Sequence, residues 1–124
     1  MAANDYHVIL YHILAYLYEC LKDGRDVSLD ALAKYKEDLM LNDKYWDYIL
    51  AHLAEGGLVE GIGKVPMLNN LKPGLKFTSE TAITPYGISF LIEEPMMEKA
   101  KNAIKSGAMA VATSVISTYV SSKL

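Results

Sequence analysis

LNDKYWDYILAHLAEGGLVEGIGK, residues Leu41 to Lys64, is the stretch on which the reading of this chain turns. It holds a helix with a marked start and a marked stop, then an apolar strand. Asn42 is placed as N-cap, a residue whose side-chain oxygen can accept from an amide of the first turn. Asp43 then stands at the positive end of the helix dipole. Leu41 before the cap and Trp46 five residues on are spaced for a hydrophobic staple. Trp46, Ile49, Leu50 and Leu53 recur at helical spacing and form one apolar face. Gly56 or Gly57 can take the left-handed conformation that ends a helix, and Leu58, Val59 and Ile62 read as a short strand. The opposite helix face carries Lys44, Tyr48, Ala51, His52 and Glu55, with Tyr45 toward the side. A helix entering a strand in this way suggests the third helix and the wing of an α+β winged helix-turn-helix domain.

Upstream, Asp5 to Lys22 reads as the first helix, with Val8, Ile9, His12, Ile13, Tyr16, Leu17, Cys20 and Leu21 on one broad face. Tyr6, Tyr11 and Tyr18 lie around it, and Asp23-Gly24 ends it. Arg25 to Val27 reads as a short extended piece, the usual place of a first strand. Ser28 is a good N-cap for a helix from Leu29 to about Tyr35, with Leu29, Leu32 and Ala33 inward. A longer helix followed by two short ones across a tight turn is the helix-turn-helix plan.

Downstream, Asn69-Asn70 and Pro73-Gly74 mark turns, and Lys76 to Ile83 reads as the returning strand of a two-stranded wing. Thr84-Pro85 is a strong helix start, a cap followed by proline at the first helical position; Ile88, Leu91 and Ile92 supply its inner face. Glu94-Pro95 breaks that helix, because the residue before proline avoids the helical region. A more polar helix follows to about Ser106, and the sequence leaves open whether Gly107 interrupts it. In the last segment, AMAVATSVISTYV, Met109, Ala112, Ile116 and Tyr119 form a stripe widened by Ala108, Val111, Val115 and Val120. The expected organisation is a winged-helix domain over residues 1–94 and a helical extension over 95–124.

Bulk properties exclude several classes. At 124 residues and 52% hydrophobic, the chain suits one domain with a real core. A net charge of −3 gives no global pull toward nucleic acid or anionic membrane. The lone Cys20 reads as a buried small hydrophobe, and this cysteine usage fits a reducing cytoplasm. The opening MAANDYHVIL lacks the basic region of a secretory signal. No catalytic constellation, cofactor motif or metal site is visible. His7 and His12 fall on different helical faces, His52 has no companion one turn on, and no cysteine pair exists for zinc. His12 reads as a satisfied core histidine. Gly56, Gly57, Gly61 and Gly63 follow a helix and enter a strand, the reverse of a phosphate-loop order, and lack its Lys-Ser/Thr ending. The chain is therefore expected not to be an enzyme.

Three interaction readings remain. A helix inserted in a DNA major groove needs cations against phosphate and side chains that reach base edges. From Asn42 to Glu55, however, Lys44 stands against Asp43, Asp47 and Glu55, a sum of −2. Between Gly61 and Ile92 the wing is better, with Lys64, Lys72 and Lys76 against Glu80, a sum of +2. Those three lysines, with Lys34, Asn42 and Lys44, are the candidate contacts to double-stranded DNA. The competing reading is a protein-interaction module in which Tyr45, Tyr48 and His52 meet a partner, tyrosine being enriched at interfaces. Third, Met109, Ala112, Ile116 and Tyr119 are the candidate contacts of a homodimer, or alternatively pack on the first helix of their own chain. Ala108 to Val120 is 13 residues, against about 20 needed to cross a bilayer, so a membrane span is not expected.

The run ITPYGISFLIEEPMMEKAKNAIK, Ile83 to Lys105, resembles the end of the winged-helix domain in the YjcQ family, small proteins of Gram-positive bacteria and their phages and prophages. In that family a strand runs into a Thr-x-x-Gly helix start, a short apolar helix and a further helix. EGGLVEG (Glu55 to Gly61) and the opening tyrosine- and leucine-rich helix fit the same pattern, so the resemblance spans most of Asp5 to Lys105. It implies a winged-helix fold and a phage or mobile-element context rather than an activity. The expectation is a small cytoplasmic regulator of transcription or adaptor, with Ala108–Leu124 as an added dimerisation helix.

Overall fold

The computed structural model describes residues 1–66, 74–107 and 114–124. The fold is α+β, with six helices and two small antiparallel sheets among those residues, in an order consistent with a winged helix. Lys72, Met109 and Ala112 lie outside the described residues, as do Asn69-Asn70, Pro73, Ala108 and Val111.

Helix α1 (Tyr6–Asp23) is the axis of the molecule. Leu10, Tyr11, Leu14 and Ala15 are buried as well as the expected face, so from Val8 to Leu17 the helix is covered all round. A helix apolar on every side belongs in the centre of a core, and α4, α5, α6 and the last strand all pack on this one. Leu21, expected inward, is 51% exposed, near the C-terminal end of the helix. Arg25 to Val27 forms no strand. The backbone amide of Ser28 instead donates to the Tyr16 hydroxyl at 2.9 Å, which uses a group a ladder would need.

Helix α2 (Leu29–Asp38) is capped by Ser28, whose hydroxyl accepts from Ala31. It buries Leu32 and Tyr35, whereas Leu29 and Ala33, expected inward, are exposed. The helix runs three residues past its expected end, and Tyr35, three residues after Leu32, shares its core side. Helix α3 (Asp43–Glu55) starts as read, the Asn42 side chain accepting from Tyr45 at 2.8 Å, and buries Trp46, Ile49, Leu50 and Leu53. Gly57, at φ 71°, is the glycine that ends it. The amide of Leu58 donates to Leu53 and that of Gly57 to Ala54, the paired bonds of a Schellman motif. The same two bonds end α2, from Leu41 to Lys36 and from Met40 to Glu37. There the left-handed residue is Met40, at φ 53°.

The wing is a nested pair of short ladders rather than two continuous strands. β1 (Val59–Glu60) pairs with β4 (Ala82–Ile83), and inside it β2 (Gly63–Val65) pairs with β3 (Gly74–Lys76). The returning strand read over Lys76 to Ile83 is broken by a turn at Thr78–Thr81. The hydroxyls of Thr78 and Thr81 both donate to the carbonyl of Gly61, at 2.6 and 3.0 Å, and so replace ladder bonds at the break.

Helix α4 (Pro85–Glu93) begins at Thr84, whose hydroxyl donates to Gly57 and accepts from Gly87. Leu91 is buried and Ile88 half-buried, but Ile92, expected inward, is 63% exposed, on a row of this nine-residue helix that no neighbour covers among the described residues. Helix α5 (Pro95–Ser106) buries Met97, Ala100 and Ile104 and ends at Gly107, which adopts φ 65°. Helix α6 (Val115–Ser122) buries Ile116 and Val120 against α1 and α2. Met97, Ala100, Ile116 and Val120 belong to the same core cluster as α1, so residues on both sides of position 94 share one core.

Candidate interaction surface

Helix α3 presents two adjacent rows to solvent. Lys44, Tyr48 and His52 form one, and Asp47, Ala51 and Glu55 the other, each at a spacing of four. Tyr48 is 53% exposed. Its ring stacks on that of His52, with centroids 4.1 Å apart and planes 25° from parallel. The His52 Nδ1 lies 3.0 Å from the backbone carbonyl of Tyr48. A carbonyl can only accept, so this nitrogen is the donor of the contact. The contact fixes the imidazole over the phenol.

The N-terminus of α1 borders this face. Tyr6 meets Tyr48 edge-on at 5.9 Å, and His7 meets Tyr6 at 5.3 Å. The Tyr45 hydroxyl donates to the carbonyl of Asn4 at 2.8 Å. Burial raises the Tyr45 and Tyr6 phenol pKa values above the ordinary range, with Asp5 adding to the first and Tyr48 to the second. The expected partner-binding residues Tyr45, Tyr48 and His52 are thus on one side of α3, but Tyr45 is engaged within the chain. Tyr6 also belongs to the cluster, a placement without a sequence signal because its approach to Tyr48 joins residues 42 positions apart.

The other flank of α3 faces an open groove of about 750 Å³ between the α2–α3 turn and the β2–β3 ribbon, lined among others by Leu29, Met40, Trp46, Val65, Leu75 and Phe77. Lys36 and Asp43 form an ion pair across the turn between the helices. That pairing holds the Asp43 carboxyl below its ordinary pKa.

The candidate DNA contacts are not gathered in the same way. Asn42 spends its side-chain oxygen on the helix cap. Lys34 is drawn to Asp38 at 3.4 Å and Glu37 at 3.9 Å on its own helix. Lys44, Lys64 and Lys76 are exposed and make no ion pair among the described residues. Gly63 lies opposite Lys76, and Lys64 opposite Leu75. Cross-strand partners share a face and successive residues alternate, so Lys64 and Lys76 point from opposite faces of the ribbon.

Of the dimer candidates described, Ile116 is fully buried in its own chain. Tyr119 is half-buried, donates to Asp23 at 2.8 Å and lies under the Arg25 guanidinium at 4.9 Å. Both are consumed by the alternative the sequence left open, packing of α6 on the first helix. Among the described residues there is no His, Cys, Asp and Glu group that could hold a metal, and no helix is long and apolar enough to cross a membrane.

No curated protein and no solved structure gives a match to this chain. The family model described as YjcQ protein matches residues 11–107, a span from the first helix to the glycine that ends α5. The chain belongs to the YjcQ family.

Proposed function

We propose that this YjcQ-family chain is a protein-binding adaptor on a winged-helix-like frame, with the exposed face of α3 as its contact surface. The observation that carries this reading is the Tyr48–His52 stack, held in solvent on a helix face whose carboxylates Asp47 and Glu55 have no ion-pair partner among the described residues. Rigid aromatic side chains give contact area at small entropic cost and are enriched where proteins meet. Unpaired carboxylates on the same face repel phosphate, which opposes the electrostatic attraction that drives DNA affinity. A role as a small regulator within a phage or mobile-element system is compatible with such an adaptor.

Exposure of Lys44, Lys64 and Lys76 without ion-pair partners among the described residues favours a second reading, a regulator that touches the DNA backbone. One pair of experiments separates the two. A photo-crosslinking residue at position 48, expressed in the producing cell, should give a discrete protein adduct, while the same residue at Tyr86, 61% exposed on α4, should not. Random-sequence duplex DNA at low salt should give no salt-sensitive anisotropy change. A steep salt slope that shrinks when Lys44, Lys64 and Lys76 become alanine would reverse the assignment.

A further inference from the structure

Resting on the reading of α3 as the contact surface, we infer that its partner is a second copy of this chain, docked antiparallel, α3 against α3, about a two-fold axis between Tyr48 and Ala51. Lys44, Tyr48, Ala51 and Glu55 are spaced four, three and four apart. That is the alternation of a helix–helix seam. Lys44 and Glu55 are exposed and unpaired among the described residues, Tyr48 is half-exposed, and Ala51 is half-buried.

The seam is self-complementary in an antiparallel pair. An axis midway along it sets Lys44 of one copy level with Glu55 of the other, and Tyr48 level with Ala51, each pairing occurring twice as an isologous interface requires. The large ring faces the small side chain, which lets the two backbones approach to the usual helix–helix distance of about 8–10 Å. The charged ends attract. Asp47 lies off the seam, on the flank that borders the groove.

An independent observation points the same way. Within its own helix each end charge is misplaced: Lys44 stands in the first turn and Glu55 at the last residue of α3. The dipole favours anions at the N-terminus and cations at the C-terminus. An antiparallel mate reverses the relation, bringing Lys44 to the negative end and Glu55 to the positive end of the neighbouring helix. The placement is unfavourable in the monomer and favourable in this pair.

Helix α3 has 13 residues, about 20 Å at the rise of an α-helix, so the interface is small and the dimer concentration-dependent. Sedimentation velocity on the full chain, from low micromolar to millimolar protein, should show a monomer–dimer equilibrium that weakens with added salt. Lys44→Glu and Glu55→Lys should each weaken it by about tenfold or more, since each turns two attractive contacts into two repulsive ones. The doubly reversed Lys44→Glu/Glu55→Lys chain should recover the dimer. All are surface changes, and circular dichroism verifies that each variant folds. Monomer mass throughout, or a dimer indifferent to the single reversals, overturns the inference, as does failure of the double reversal to recover. A monomeric chain that still crosslinks a different protein at position 48 would remove self-pairing while leaving the contact surface in place.

Discussion

Gly87, in the first turn of α4, lies directly against the backbone carbonyl of Leu58, at the start of the wing; a Cβ on Gly87 would fall on that oxygen. The same carbonyl accepts from the Thr84 amide at 3.0 Å. Thr84 and Gly87 thus work together, one joining α4 to the end of α3 by hydrogen bonds and the other letting it come close enough. Gly87→Ala should cost about 2–3 kcal/mol, because the obstructing atom is backbone and cannot swing away. Gly107→Ala, where the left-handed conformation is the sole obstacle among the described residues, should cost about 1 kcal/mol. Urea denaturation of the two variants beside the parent measures the difference.

Met40 invites the opposite substitution. It occupies the left-handed position of the α2 cap, where α1 and α3 use Gly24 and Gly57, and its side chain is 87% exposed. Met40→Gly should raise stability by about 1 kcal/mol, since it relieves the backbone penalty and gives up little burial. A lower midpoint in thermal unfolding would show that the methionine contributes packing across the groove.

His12 gives the fold a pH dependence of defined sign. It is buried, its Nδ1 lies 3.3 Å from the Tyr35 hydroxyl, and burial pushes its pKa from 6.5 down to about 4. The folded state therefore holds a neutral ring while the unfolded chain takes up a proton below pH 6.5. Stability from this group is complete above pH 6.5 and falls as pH drops toward 4, by about 3 kcal/mol. His12→Phe should remove that component of the pH profile between 6.5 and 4, read as the difference between urea midpoints of the two proteins.

Ile116 distinguishes a core role from a dimer role. Full burial in its own chain implies that Ile116→Ala lowers stability by about 2–5 kcal/mol. The loss should be the same at every protein concentration. A loss that appears only where the chain is dimeric would mean that α6 docks on a partner instead.

Local chemistry made much of this architecture legible. The α3 cap at Asn42, the Thr84-Pro85 start of α4 and the Glu94-Pro95 break each depend on residues within one turn of one another. Their backbone preferences act whatever the rest of the chain does. The Tyr48–His52 pair was legible for the same reason, being four residues apart on one helix face.

Contacts between distant segments were not legible. Leu21, Leu29, Ala33 and Ile92 are exposed although they lie on apolar stripes, because periodicity names such a stripe but not how far the neighbours extend to cover it. The break in the wing depends on Thr78 and Thr81 reaching Gly61, 17 and 20 residues away. Whether the α6 stripe turned inward or outward rested on the approach of Tyr119 to Asp23, 96 residues apart.

The sequence by itself determined the starts of α2, α3 and α4, the apolar face of α3 and the acidic, aromatic character of its other face. These follow from backbone conformation and side-chain spacing within a few residues. Tertiary structure decided which apolar rows are covered, that α6 joins the core of its own chain, that Lys64 and Lys76 diverge, and that Tyr6 stands beside Tyr48. Those outcomes depend on the register and crossing of elements far apart in the chain. Burial and electrostatic contact are set by distances in space, which a linear pattern does not contain.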